Sequence, residues 1–150
     1  MARLQDSKDE VIHLRSAGVD LGKRFLLACV RTPSTKRAGS WSLETERFGT
    51  TTAEVRRLLA WLLERQVEVV VMEATSDYWR PVYYLLQPHR NLMLVNPAHL
   101  KGIRGRKTDP SDAAFLARAG ASGMVMASFV PERDIRELLT RNCLFFYWMV

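Results

Sequence analysis

The sequence has little cysteine and little histidine. Cys29 and Cys143 lie far apart and belong to no Cys-x-x-Cys pair, and His13, His89 and His99 share no metal-ligand spacing. A zinc site and a disulfide framework are therefore excluded as organising features, and a reducing cytosolic compartment is the expected one. No apolar run approaches the roughly 18 residues that span a bilayer, and the charged stretch from Met1 to Arg15 has no apolar signal core. Neither export nor membrane insertion is expected. With Gly 8 and Pro 6, a collagen-like or low-complexity chain is ruled out. Acidic residues are the minority charge, 16 Asp plus Glu against 22 Lys plus Arg, and the formal net charge of +6 favours polyanionic partners such as nucleic acid or anionic lipid.

What is present suits one ordinary globular domain, 150 residues with 47% hydrophobic and 25% charged. After a loose lead-in over residues 1–15, residues 16–21 read as a buried strand, Gly22-Lys23 as a turn, and residues 25–31 as a strand returning antiparallel. A Pro, Ser, Thr, Lys and Gly-rich loop precedes a third strand over residues 40–48. Thr51 or Thr52 can cap a helix that carries Val55, Leu58, Leu59, Leu62 and Leu63 on one face. Residues 67–74 are almost continuously apolar, which suits a central strand covered on both sides. Thr75-Ser76-Asp77 leads into a helix over residues 78–87 that Pro88 stops, residues 91–95 form another short strand, and a last helix follows Asp109-Pro110-Ser111-Asp112. The order βββαβαβα builds an α/β fold, a mixed sheet with antiparallel strands on one side, parallel βα units on the other and helices packed upon it.

That arrangement gathers four carboxylates. Asp20 falls at the middle or end of the first strand, Glu73 at the carboxyl end of the fourth, and Asp109 and Asp112 at a helix start. Ligand sites in open α/β sheets lie beyond the carboxyl ends of strands. Apolar neighbours in Gly18-Val19-Asp20-Leu21-Gly22 make an ionised Asp20 costly unless a cation or hydrogen-bond donors compensate it, as Mg²⁺ or Mn²⁺ would. An offset of three would set Asp109 and Asp112 about 60° apart around a helix and about 4.5 Å along it, so that both face one point. Such carboxylates can hold two cations about 4 Å apart, which activate a water and stabilise the leaving oxygen of a phosphodiester.

Each residue also has an ordinary structural reading. Asp109 is a good N-cap with Pro110 at the first helical position, Asp20 could belong to a turn, and Glu73 could pair with Arg80 or Arg90. It is the coincidence of all four that favours a metal site. The basic stretch Lys101, Arg104, Arg106 and Lys107, interleaved with Gly102 and Gly105, immediately precedes the aspartate pair. As a charge run it reads first as a solvated loop, but its position suits holding phosphates near a carboxylate cluster. Tyr78, Trp79, Tyr83 and Tyr84 read as core rather than as base-stacking residues.

Gly18-Val19-Asp20-Leu21-Gly22-Lys23, Met72-Glu73-Ala74-Thr75-Ser76, Val95-Asn96-Pro97 and above all Gly105-Arg106-Lys107-Thr108-Asp109-Pro110-Ser111-Asp112-Ala113, followed by Phe115-Leu116-Ala117, form a recognisable set. Together they resemble the DEDD-type insertion-sequence transposases of the IS-one-ten family, which includes the Piv-type DNA invertases. The resemblance runs from about Ala17 to Arg141. It implies an RNase H-like (RuvC-like) N-terminal catalytic domain whose four metal-binding acidic residues fall on Asp20, Glu73, Asp109 and Asp112, with Mg²⁺ as cofactor and Mn²⁺ able to substitute. It further implies a site-specific recombinase, acting as a homo-oligomer on the DNA of a mobile element and its target with a structured guide RNA.

In that family a C-terminal domain supplies a serine nucleophile, and no residue here matches it. Beyond Arg141 the sequence turns apolar and aromatic from Asn142 to Val150, so the expectation is a family-like domain over residues 16–141 and a tail foreign to the family, as in a truncated or frame-shifted copy. The expected activity is metal-dependent strand cleavage and transfer, incomplete in this fragment. Two other readings compete. One is an ATP-dependent phosphotransferase of the actin and sugar-kinase type, suggested by the hairpin at residues 18–23 but lacking a second phosphate loop. The other is a non-catalytic nucleic-acid-binding or subunit-pairing remnant.

Overall fold

The computed structural model describes residues 11–101, 103 and 109–148, with side chains through residue 141. The chain forms β1 (Ser16–Leu21), β2 (Phe25–Pro33), β3 (Trp41–Gly49), α1 (Thr52–Glu64), β4 (Val69–Glu73), α2 (Trp79–Leu86), β5 (Asn91–Val95), α3 (Pro97–Leu100), α4 (Asp112–Ala121) and α5 (Arg133–Trp148). The strands make one sheet in the order β3-β2-β1-β4-β5. β2 is antiparallel to both β1 and β3, while β4 pairs parallel with both β1 and β5. This is the mixed sheet expected from the order of elements. No helix among the described residues is long and apolar enough to cross a membrane.

Alternation along the central strands divides the core between two faces. Ala17, Val19, Leu21, Val70 and Met72 pack with Val55, Leu58 and Leu62 of α1 and with Val82 and Leu86 of α2. Val71 and Val95 point the other way, into a cluster with Phe115, Leu116 and Ala119 of α4. Burying side chains of this size contributes about 1.5–3 kcal/mol each relative to exposure, so the two clusters fix which way every strand residue faces. α1 begins as its sequence dictates: Thr51 Oγ1 accepts from the Glu54 amide, and Glu54 reaches back to accept from the Gly49 amide at 3.0 Å.

On the far face α4 lies almost on the backbone of β1. Ser16 Oγ donates to the Ala117 carbonyl at 2.7 Å, and Gly18 sits against Ala113 and Ala117 with no room for a side chain. Gly120 is similarly close to Val71 of β4. Small residues at Ala113, Ala114, Ala117, Ala119 and Ala121, all buried, let the helix approach this closely.

Three features depart from the sequence reading. α2 starts at Trp79 with no side-chain cap, because Ser76 takes a positive φ of 54° and turns the chain before the Thr75-Ser76-Asp77 trio can cap anything. A single turn, α3, follows β5, where the Asn96 side chain accepts from the Ala98 amide at 2.9 Å. α5 departs from the sequence reading because its described apolar residues are not buried: Ile135, Leu138 and Leu139 are 49%, 55% and 54% exposed. Its backbone stays helical through Trp148, so the apolar segment begun at Asn142 continues a helix there rather than forming a strand. Residues 1–10 of the lead-in lie outside the described residues; from Ile12 on it is tied down, since the amides of Ile12 and His13 both donate to the Ala121 carbonyl.

Candidate metal centre

The register of the sheet brings Asp20 and Glu73 together. β1 and β4 pair with Gly18 beside Val71 and Val19 beside Met72, and Asp20 and Glu73 are the next residues of the two strands. Neighbouring strands are about 4.8 Å apart. By the same alternation Ser16, Gly18 and Asp20 share a face, as do Val71 and Glu73, and it is the face that α4 covers. Both residues are half-buried at the carboxyl ends of their strands. Immediately after Glu73 the chain leaves the sheet: the Ala74 amide still donates to Val95, but the Thr75 amide turns back onto the Glu73 carbonyl at 2.9 Å.

α4 runs against β1 so that Ser16 meets Ala117 and Gly18 meets Ala113. One pleat further along the strand, Asp20 is directed toward the amino end of the helix, where Asp112 stands. Asp112 is exposed in the first turn, and there the helix dipole favours its charge.

Asp109 is placed differently from the sequence reading. The N-cap of α4 is Ser111, whose Oγ accepts from the Ala114 amide at 3.1 Å, so Asp109 lies outside the helix and the 60° relation to Asp112 does not hold. Its carboxylate instead receives Arg118, from Nε at 3.2 Å and from Nη2 at 3.0 Å. The pair is largely withdrawn from water, with side chains 12% and 23% exposed for Asp109 and Arg118. Among the described residues no three Asp, Glu, His or Cys side chains come close enough to hold one ion together. The structure thus sets Asp20 and Glu73 near the ends of neighbouring strands and Asp112 in the first turn of α4, and holds Asp109 on an arginine.

Arg118 is the residue that sequence reasoning missed. It lies nine positions after Asp109, a separation with no local signature, although a basic residue in the last turn of a helix is itself common. Cys29 lies under α4 with Ala113 and Ala114. Burial pushes its thiol above the ordinary range, a hydrogen bond with Thr45 opposes this, and the charge of Asp109 adds to it, so Cys29 stays a neutral core residue. Of the basic stretch, Lys101 is exposed at the end of α3, while Arg104, Arg106 and Lys107 lie outside the described residues. His13 faces Glu68 at 3.4 Å, far along the sheet from the strand ends that carry Asp20 and Glu73.

A family model described as a transposase, of the DEDD type found in IS-one-ten elements, matches residues 17–142. The chain belongs to this DEDD transposase family. All four carboxylates fall inside the matched region, and the motifs that suggested the family lie there too. No curated protein matches the sequence. Among solved structures, a fowlpox virus resolvase in complex with Holliday junction DNA is similar at 16% identity and TM-score 0.43 over 61% of this chain. The transposase chain spans 63% of the length of that resolvase. RuvC of Thermus thermophilus is similar at 17% identity and TM-score 0.46, over 76% of this chain and 83% of that one. A Ppx/GppA family protein of Aquifex aeolicus is similar at 11% identity and TM-score 0.36, over 59% of this chain and 39% of that one.

Proposed function

We propose that the strand-end carboxylates form the divalent-metal site of a DNA transposase, and that this chain carries the catalytic domain for phosphodiester cleavage and strand transfer. The observation that carries this reading is the place of Asp20 and Glu73 one step beyond the Val19–Met72 pair, at the ends of neighbouring strands and on the face toward α4. The all-oxygen donor set of these carboxylates suits Mg²⁺, with Mn²⁺ as a substitute. Asp20, Glu73 and Asp112 would hold the metal, and Asp109 would join them on leaving Arg118. Bound metal supplies charge neutralisation at the phosphate and a more acidic water.

The remaining parts follow from the same reading. Lys101, with Arg104, Arg106 and Lys107, holds phosphates of the DNA leading into the site. The substrates are the DNA of a mobile element and its target, the further partners a structured guide RNA and other copies of the chain, and the place of action the cytoplasm, on DNA. The Arg118 pair gives specific support to a second reading, a binding module without catalysis, because it occupies one carboxylate of the four.

Titration with Mn²⁺, followed by loss of the free-ion electron paramagnetic resonance signal, separates the two readings. The parent chain is expected to bind Mn²⁺, and Glu73→Gln is expected to bind at least about tenfold more weakly, equivalent to about 1.4 kcal/mol. Equal binding by parent and variant would show that Glu73 is not a ligand and would favour the binding module.

A further inference from the structure

A cavity of about 430 Å³ opens between α2 and the segment that precedes α5. Its walls include Trp79, Tyr84 and Phe129, and its polar groups include Arg80, Asn96 and Arg136. Ala74 and Asn96, the residues immediately after β4 and β5, also line it, so it opens at the sheet edge where Glu73 ends its strand. A larger hollow of about 830 Å³ between α2 and α5 shares Tyr84 and Arg136 with it and adds Arg133 and Arg141 together with Glu132 and Glu137. The two make a trough leading away from the carboxylates.

Three details distinguish this trough from ordinary surface. Phe129 is 88% exposed although the Ser128 amide anchors its segment to the Leu94 carbonyl at 2.6 Å, so a large aromatic ring is held in water on a fixed backbone. The Arg136 guanidinium lies 4.0 Å over the Tyr84 ring and donates to neutral oxygens, Gln87 Oε1 at 3.1 Å and the Pro131 carbonyl at 2.9 Å. Among the described residues no carboxylate lines the smaller cavity. The opposite situation holds at α1 and β3, where Arg57 and Arg65 are matched by Glu46, Glu54, Glu44 and Glu64. At the trough Arg136 presents its charge beside an exposed ring face, while Arg80 shares its charge with Asp77 at 3.4 Å and Arg133 with Glu137 at 3.0 Å.

We propose that this trough binds a single-stranded segment of nucleic acid, with a base stacked on Phe129 and phosphates held by Arg80 and Arg136. Every base has a π-face, so stacking on an exposed ring tolerates any sequence, and an arginine beside the ring contributes both charge and a planar stacking surface. The cavity falls within the roughly 300–1,000 Å³ of small-ligand sites, large enough to seat a nucleotide. The trough lies on the α2 face of the sheet, opposite the α4 face toward which Asp20 and Glu73 are placed. The inference stands on the trough itself and does not need the metal reading.

The test is fluorescence anisotropy of labelled single strands of about 12 nucleotides, one of deoxythymidine and one of uridine, with the full chain in EDTA. Without metal, failure of the metal site cannot mimic failure of the trough. Phe129→Ala is expected to weaken binding about fivefold or more, the fold-change equivalent to about 1 kcal/mol for one stacked base, and to leave binding of an abasic strand of equal length unchanged. Arg80→Gln is expected to flatten the salt dependence. The deoxythymidine and uridine arms tell which strand the trough prefers. Unchanged binding by Phe129→Ala would overturn the proposal, as would a variant that binds nucleic acid normally but no longer self-associates in sedimentation, which would make the trough a contact between copies.

Discussion

Gly18→Ala is expected to lower the stability of the chain by about 3 kcal/mol or more, which for a domain of this size is a fall in Tm of about 10 °C. A β-carbon at Gly18 would lie 2.0 Å from the Ala113 carbonyl oxygen and 2.6 Å from the Ala117 amide nitrogen. Both atoms belong to the helix backbone, so no rotamer change relieves the overlap and α4 must move outward. That movement would break the Ser16 hydrogen bond to Ala117 and open the cluster that Phe115 and Leu116 make with Val71. It would also draw the amino end of α4 away from Asp20. Thermal unfolding by circular dichroism checks this. A loss of less than about 1 kcal/mol would mean that α4 is not seated on β1, and the placement of Asp112 near the strand ends would fail with it.

Arg118→Gln is the second large effect, and it has two expected signs. Without metal the variant loses about 1–3 kcal/mol, because the Asp109 carboxylate, only 12% exposed, gives up a paired donor and is left poorly solvated. With Mg²⁺ in excess, part of that loss is recovered, since a released Asp109 adds a fourth carboxylate to the site. The stabilisation conferred by Mg²⁺ is therefore larger in Arg118→Gln than in the parent. Paired unfolding curves in EDTA and in Mg²⁺ give both numbers. Equal Mg²⁺ effects in the two proteins would assign Asp109 a purely structural role as the partner of Arg118.

Much of the sheet was legible because its strands are bounded by simple signals. β1 begins at Ser16, after Arg15, and ends just before Gly22; β5 lies between Arg90 and the Asn96-Pro97 step. The Thr51 cap and the α1 stripe were equally plain, since a helix start and a period of 3.6 are local features. The adjacency of Asp20 and Glu73 could be anticipated only as two residues near strand ends. Their shared face is set by the Gly18–Val71 register, and that in turn by α4 pressing on Gly18.

The misplacement of Asp109 has a definite cause. Asp109 and Ser111 are both good cap residues, and sequence alone does not choose between them. In the folded chain Asp109 is held by Arg118 outside the helix and the cap falls to Ser111. The aromatic stretch was misjudged in part for a similar reason. Tyr83 is 7% exposed and belongs to the core as expected, while Tyr84, about 100° further around the helix, is 36% exposed and faces the trough. Phe129 lies in a segment with neither helical nor strand periodicity, so nothing local marked it.

Whether Asp20 and Glu73 form one cation site decides the function of this chain. Thermal unfolding of the parent chain and of Asp20→Asn across a Mg²⁺ series tests this most directly, because an ion that binds only the folded state raises its apparent stability in proportion to the logarithm of its concentration. The account predicts a rise of about 3 °C or more in the parent at saturating Mg²⁺, and none in Asp20→Asn. A flat parent curve, or an equal rise in both proteins, would contradict it.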